Sequence, residues 1–131
     1  MTHIMEVSED SVTGKGKYKN AKGNTECVVF VQAVTDVPNQ TANWVKSIYV
    51  MDAKADAIKR GTAIATFDEG GKYPTDELGK HAAIYLSHSA AGIKVLDQWN
   101  AQGEVLPRLI RAGRPAGTKR SNDAAWFYVI D

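Results

Sequence analysis

Cysteine is scarce in this sequence, and long hydrophobic runs are missing from it. Cys27 is the only cysteine among the 131 residues, so an internal disulfide and a cysteine-based zinc cluster are both excluded. No apolar stretch approaches the ~20 residues that a helix needs to cross a bilayer. Residues 1–10 lack both the basic start and the apolar run of a secretory signal peptide. We therefore expect synthesis in the cytoplasm without membrane insertion, and any export by a route that reads no N-terminal signal.

An excess of either charge is lacking too. The 16 basic and 15 acidic side chains leave a formal net charge of +1, which gives no electrostatic reason to expect binding to nucleic acid or to an anionic membrane. A hydrophobic fraction of 44% and a charged fraction of 24% are ordinary for a globular protein. We expect residues 1–131 to form one domain, large enough to bury a core without disulfides or metal ions.

The single cysteine stands where a polar segment meets an apolar one. Asn24 and Thr25 are good N-cap residues, and the apolar residues that follow predict a helix over 25–36. The β-branched and aromatic residues 28–31 would also suit a strand. In the helical reading Cys27 lies in the first turn, where unpaired N–H groups and the helix dipole favour a thiolate. The alternative is a small buried side chain without chemistry.

A second stretch predicts a β-hairpin. Residues 81–86 and 93–99 are strand candidates joined by a short polar turn. Folding the chain about this turn sets His81 opposite Asp97 or Gln98, within hydrogen-bonding reach. Asp97 is the better partner, and a shift of one residue would give the role to Gln98.

The remaining elements are read from shorter patterns. Residues 62–67 and 125–130 predict strands, and residues 52–60 predict a surface helical turn. Residues 104–110 predict a further strand, but Pro107 restricts it to a sheet edge or a bulge.

A thiol at a helix start, a histidine at a strand start and a carboxylate on the next strand suit acyl transfer by a cysteine nucleophile. Cys27 would attack a carbonyl, and His81 would take the thiol proton and later protonate the leaving amine. Asp97 would fix the imidazole tautomer, and the Cys27 N–H would donate to the oxyanion. The alternatives are a structural histidine at position 81 and a solvent-exposed carboxylate at position 97.

Four segments carry a resemblance to a known family. They are Glu26-Cys27-Val28, residues 61–67, the segment Gly79-Lys80-His81-Ala82-Ala83-Ile84-Tyr85-Leu86, and Asp97-Gln98-Trp99. Their types and order resemble the papain-like NlpC/P60 and CHAP cell-wall peptidases. More closely they resemble the type VI secretion amidase effectors, and among these the third group. The resemblance covers roughly residues 14–110.

The resemblance implies an α+β, papain-like NlpC/P60 fold, in which an N-terminal helix bearing the cysteine packs on a central antiparallel sheet. It implies a peptidoglycan amidase without a cofactor, with Cys27 and His81 as catalytic residues and Asp97 as a less constant third. The bond would lie in a stem peptide or a cross-link, with diaminopimelate–D-Ala favoured. The type VI apparatus would deliver such a toxin into a rival cell's periplasm, and an immunity protein would block its active site.

Several residues are left with two readings. Four aromatic side chains are either core residues or walls of the substrate groove: Tyr18, Trp44, Tyr73 and Trp99. The basic residues of 108–120 form a solvated loop, or they meet the carboxylates of stem peptides or an acidic immunity protein. Two functions compete with peptidoglycan hydrolysis: a binding or adaptor module on the same scaffold, and an acyltransferase or deamidase that acts on protein.

Overall fold

One antiparallel sheet organises the computed structural model, which describes residues 2–76 and 79–131. Met1, Glu77 and Leu78 lie outside the described residues. The six strands are β1 Lys46–Tyr49, β2 Ala63–Thr66, β3 Ala82–Ser89, β4 Gly92–Asp97, β5 Leu106–Arg111 and β6 Phe127–Ile130. Their order across the sheet is β1-β6-β2-β3-β4-β5. Two α-helices are described, α1 Glu9–Val12 and α2 Cys27–Val34.

Both faces of the sheet are buried at its centre, as the apolar composition of the central strands requires. On one face α2 packs Phe30 and Val31 against Ile84 of β3 and its neighbours. On the opposite face, Tyr85 and Val95 belong to a second apolar cluster, which also contains side chains of the connections around β1 and β6. The predicted α+β fold, with the cysteine-bearing helix on an antiparallel sheet, is therefore observed.

Helix α2 is shorter than predicted and begins differently. It starts at Cys27 rather than at residue 25, and Glu26 is its N-cap residue without a side-chain capping bond. Instead of capping, the Thr25 hydroxyl donates to the carbonyl of Trp99. The helix ends at Val34, since the backbone of Thr35 is extended, and the Thr35 hydroxyl donates to the Val31 carbonyl of the last turn. Tertiary packing thus overrides the strand propensity of residues 28–31.

The β3–β4 hairpin is tighter than predicted. Tyr85 pairs with Val95, and the two strands meet in a two-residue turn before Gly92. Gly92 has a φ of 143°, and a Cβ there would lie 2.1 Å from the Ile110 carbonyl oxygen of β5, so this turn requires glycine. Continued to the start of β3, the register sets His81 across from residue 99. The predicted direct opposition to Asp97 or Gln98 was therefore wrong by one or two residues, and Asp97 is a diagonal neighbour instead.

Of the remaining secondary-structure predictions, the strands were correct and the helical turn was not. Strand β5 contains Pro107 and lies at a sheet edge, as predicted. Residues 62–67 and 125–130 contain β2 and β6, which lie side by side. The helical turn over 52–60 was wrong, because the described helical turn at that point is a 3-10 turn over Val50–Asp52. Among the described residues, no helix has the length and apolarity needed to cross a membrane.

Candidate active site

Two side chains hold the start of α2 against the end of β4. The Gln98 amide nitrogen donates to the carbonyls of Tyr18 and Glu26, each at 2.8 Å. The Thr25 hydroxyl bonds the next residue of the β4 end, Trp99. Gln98 is fully buried, and its two bonds position Cys27, the first helical residue. The Cys27 side chain is half-buried.

The sheet positions the histidine from the other side. The His81 backbone accepts from the N–H of Thr66 on β2 and donates to the Thr66 hydroxyl. His81 Nε2 lies 2.7 Å from Asp97 Oδ2. With Nε2 on the carboxylate, Nδ1 is the ring nitrogen left to face the thiol. Asp97 rather than Gln98 thus contacts the imidazole, since the Gln98 amide is engaged with backbone carbonyls.

A negative charge on the Cys27 thiol and a positive charge on the His81 imidazole stabilise each other. Burial opposes ionisation of Cys27, but the positive charge of the His81 imidazolium lowers the pKa of the thiol. Hydrogen bonds from His81, the Ala82 N–H and the Tyr73 hydroxyl lower it further. Burial likewise opposes a charged His81, but the Cys27 thiolate and Asp97 raise the pKa of the imidazole to about 9. Both directions favour a thiolate–imidazolium pair at neutral pH.

The contact of Arg108 with Asp97 was missed by sequence reasoning, which considered the basic residues of 108–120 only as a solvated loop or as partners of a substrate or an immunity protein. Arg108 Nη2 and Nε donate to Asp97 Oδ2 at 2.7 and 3.0 Å, and its guanidinium lies 4.9 Å from the ring centre of Trp99. Burial tends to raise the pKa of Asp97, but hydrogen bonds from His81 and Arg108 and their charges lower it. The carboxylate therefore stays ionised. Sequence reasoning lacked the register between β4 and β5. Arg108 becomes a diagonal neighbour of Asp97 only when these two strands are aligned.

An open pocket of about 800 Å³ gives access to this cluster. Its lining comprises Glu26, Cys27, Val28, Thr41, Tyr73, Lys80, His81, Trp99, Asn100, Ala101, Arg108, Lys119, Ser121 and Asn122. Thiol and imidazole thus both face space that a substrate can enter. Within residues 2–76 and 79–131, no group of three histidine, cysteine or acidic side chains is placed to hold a metal ion. A thiol, a base and an orienting carboxylate around an open pocket can carry out nucleophilic acyl transfer.

A family model described as domesticated amidase effector 2 matches residues 1–130. The chain belongs to the domesticated amidase effector 2 family. The resemblance to type VI amidase effectors is confirmed, while the group that matches is the second and not the third.

Two relatives and one solved structure agree with this membership. A type VI secretion amidase effector 2 protein of Salmonella typhi is 34% identical over 116 residues, which cover 81% of this chain and 84% of the relative. The domesticated amidase effector 2 of Ixodes scapularis is 36% identical over 120 residues, which cover 89% of this chain and 78% of the relative. The structure of type 6 secretion amidase effector 2 has a TM-score of 0.78 at 30% identity, over 97% of this chain and 93% of that one.

In this amidase effector 2 family member, the four predicted groove aromatics separate into two pairs. Tyr73 and Trp99 line the pocket. Trp44 is buried in the core, where its indole N–H donates to the Pro38 carbonyl, and it does not line the pocket. Tyr18 packs edge-on against the ring of Phe30 and also lies outside the lining. The prediction that Trp44 and Tyr18 border the substrate is corrected accordingly: both pack in the apolar cluster that also contains residues of α2.

Proposed function

We propose that this chain is a single cysteine amidase domain over residues 1–131 that hydrolyses an amide bond in the peptide stems or cross-links of peptidoglycan. One observation carries the proposal: the His81–Asp97 pair, joined at 2.7 Å, lies with the half-buried Cys27 thiol on an open pocket. Membership in an amidase effector family supports hydrolysis of an amide as the reaction.

The proposed reaction has two stages. The Cys27 thiolate attacks the amide carbon, and the electron pair of the carbonyl moves onto its oxygen. The His81 imidazolium then gives its proton to the leaving nitrogen as the C–N bond breaks, which leaves a thioester on Cys27. Water, deprotonated by His81, hydrolyses the thioester and restores the thiolate. Asp97 holds the imidazole in one orientation throughout and supports its positive form.

The lining of the pocket is compatible with an anionic peptide. Arg108, Lys119 and Lys80 contribute basic side chains to it, and peptidoglycan stems carry free carboxylates. A narrower groove of about 200 Å³ adjoins the pocket through the shared residues Arg108 and Asn122, and it also contains Arg111 and Arg114. Basic side chains along both cavities suit a substrate with several carboxylates, and we propose the diaminopimelate–D-Ala cross-link.

Digestion of purified Gram-negative sacculi tests both the activity and the bond. We expect the wild-type protein to release soluble muropeptides, and mass spectrometry to show monomers that arise from cleaved cross-links. Cys27→Ala should leave the sacculi intact, and His81→Ala should act at least about 10²-fold more slowly. An unaltered muropeptide profile with folded wild-type protein would sink the proposal. It would favour an adaptor, or an acyltransferase or deamidase that acts on protein.

We propose delivery by a type VI apparatus into the periplasm of a target cell, supported by the relative named as a type VI secretion amidase effector 2 protein. Peptidoglycan lies in that compartment, so the site of expression should decide toxicity. A fusion exported to the periplasm of a Gram-negative host should lyse the cells, and the same chain retained in the cytoplasm should not. Equal survival of the cells that export the protein and the cells that retain it would count against a periplasmic target.

An immunity protein is the proposed partner at the pocket. A protein that plugs the pocket should cover Cys27 and block its alkylation at the same concentrations that stop digestion of sacculi. A protecting protein that leaves alkylation of Cys27 unchanged would show that protection does not act through this site.

A further inference from the structure

Tyr73 lines the pocket beside the thiol and takes no part in the bond and proton transfers proposed above. Tyr73 lies in the connection between β2 and β3, and its hydroxyl oxygen is 3.8 Å from Cys27 Sγ. Across residues 2–76 and 79–131, the structure gives this hydroxyl no hydrogen-bond partner other than Cys27 Sγ. A buried polar group held beside a nucleophile with only that partner is suited to a second task.

We propose that the Tyr73 hydroxyl is an oxyanion donor of this site, acting together with the Cys27 backbone N–H. The inference rests on the proposed amide hydrolysis and adds a residue that touches the reacting oxygen. When the Cys27 Sγ–carbon bond forms, the carbonyl electron pair moves onto the oxygen, and the Tyr73 O–H donates to that oxygen. When the C–N bond breaks, the pair returns and the donor is released.

The distance agrees with this role. An oxyanion donor must lie about 3 Å from the developing negative oxygen, not from the nucleophile. That oxygen is two bonds from Sγ, so a donor to it need not contact the sulfur closely. The 3.8 Å between the Tyr73 hydroxyl and Sγ is long for a strong hydrogen bond to sulfur in the resting state. The bond to oxygen can therefore be the stronger one, which is the condition for lowering the barrier.

The ring of Tyr73 is held in place by the core. It is 7% exposed and packs edge-on against Trp44, with ring centres 4.9 Å apart. Trp44 is in turn fixed by its bond to the Pro38 carbonyl. A donor fixed before the reaction needs no reorganisation when charge develops. This also gives the buried Trp44 a function: it orients Tyr73 and touches no substrate.

The hydroxyl keeps its proton at the pH of the reaction. Burial, and after it the negative charge on Cys27, raises the pKa of Tyr73, so the group stays a donor. The other donor comes from the helix, because the first N–H groups of α2 have no partner within the helix. Cys27 is the first residue of α2, so its N–H and the Tyr73 hydroxyl are both close to Sγ.

Tyr73→Phe tests the assignment, because it removes one oxygen and keeps the packed ring. With a purified cross-linked muropeptide dimer, we expect kcat to fall about 10²-fold and KM to change less than about threefold. Alkylation of Cys27 by iodoacetamide forms no oxyanion, so its plateau rate should stay within about twofold of wild type. Tyr49→Phe is the matched control: Tyr49 lies on β1 against Tyr128 and outside the pocket lining.

Two results would overturn the assignment. A kcat for Tyr73→Phe within about twofold of wild type would exclude an oxyanion role. A loss of kcat that disappears at a pH where Cys27 is fully ionised would show that Tyr73 only stabilises the thiolate. Wild-type protein that fails to cleave the dimer would instead refute the proposed amidase function, so the two failures are distinguishable.

Discussion

At the scale of single residues, the site depends on one buried carboxylate with two cationic neighbours. Asp97 is fully buried and accepts from His81 and Arg108 on the same oxygen, Oδ2. Its other oxygen, Oδ1, is buried without a hydrogen-bond partner in the part of the chain that the structure describes. Arg108 keeps Asp97 ionised, so the carboxylate remains an acceptor for the imidazole.

Asp97→Asn should lower the pKa of His81, because the amide removes the negative charge that supports the imidazolium. In wild type that pKa is raised to about 9, so the thiolate–imidazolium pair is lost as the pH rises through about 9. The alkaline limb of kcat/KM against pH should therefore lie near 9 and move to lower pH in Asp97→Asn, while kcat falls between about 10- and 10⁴-fold.

The exposed Asp56→Asn serves as the control and should leave the profile unchanged. The raised pKa of His81 also affects the stability of the fold. The pKa in the folded state exceeds the unfolded value of ~6.5, so His81 contributes fully to the free energy of unfolding below pH ~6.5. That contribution is lost as the pH rises towards about 9. An unmoved alkaline limb in Asp97→Asn would contradict the role of Asp97.

At the scale of secondary-structure elements, hydrogen bonds between the start of α2 and the end of β4 determine where the Cys27 thiol lies. The sequence predicted that Cys27 lies in the first turn of a helix, and this was correct because a polar segment gives way to an apolar one near that residue. It did not predict how the helix start is held, because Asn24 and Thr25 suit an N-cap and neither serves as one. The actual bonds come from Gln98, 72 residues further along the chain, and local pattern cannot report such a contact.

Gln98→Met should lower the free energy of unfolding by about 1–3 kcal/mol, because two carbonyls lose their donor at a partly buried contact. Gln98 Oε1 is buried without a partner among the described residues, so its removal offsets part of the loss and favours the lower end. Urea unfolding measures the change. The exposed Gln40→Met is the control, and a change below about 0.5 kcal/mol at position 98 would refute this account of the helix start.

Strand register shows a second limit of the sequence. The hairpin was predicted, but its turn was placed too early, so His81 lies across from residue 99 rather than from Asp97 or Gln98. The predicted contact survives because the imidazole reaches diagonally along the strand. Pro107, by contrast, identified β5 as an edge from chemistry alone, since proline cannot donate in a central strand.

For the molecule as a whole, the fold class was predictable and the extent of the binding surface was not. The resemblance of four segments predicted a cysteine-bearing helix on a central antiparallel sheet, and the structure has this arrangement. The pocket, however, joins α2 to residues 119–122 and the end of β4, which are remote from one another in sequence. That is why the sequence left Trp44 and Tyr18 open between core and groove, and did not predict the contact of Arg108 with Asp97.

The double charge reversal Arg111→Glu/Arg114→Glu tests whether the adjoining groove binds carboxylates of the substrate. These side chains are exposed and lie outside the catalytic pocket lining, so kcat should stay within about twofold. KM for a cross-linked muropeptide should rise about tenfold, or about 1.4 kcal/mol, and less at high salt. Steady-state kinetics on the purified dimer supply both constants.

Lys54→Glu/Lys59→Glu is the matched control, since it makes the same change in net charge at exposed positions outside both pockets. An equal rise in KM for both double variants would assign the effect to overall charge. No rise for either would leave the basic surface without a part in substrate binding and would point to an acidic protein partner instead.

The central claim is that His81 holds Cys27 as a thiolate ready to attack a carbonyl, and the rate of Cys27 alkylation by iodoacetamide against pH measures this most directly. The account predicts a midpoint well below the ordinary thiol pKa of ~8.5, and a return towards that value in His81→Ala. A wild-type midpoint at or above ~8.5, unchanged by His81→Ala, would contradict it.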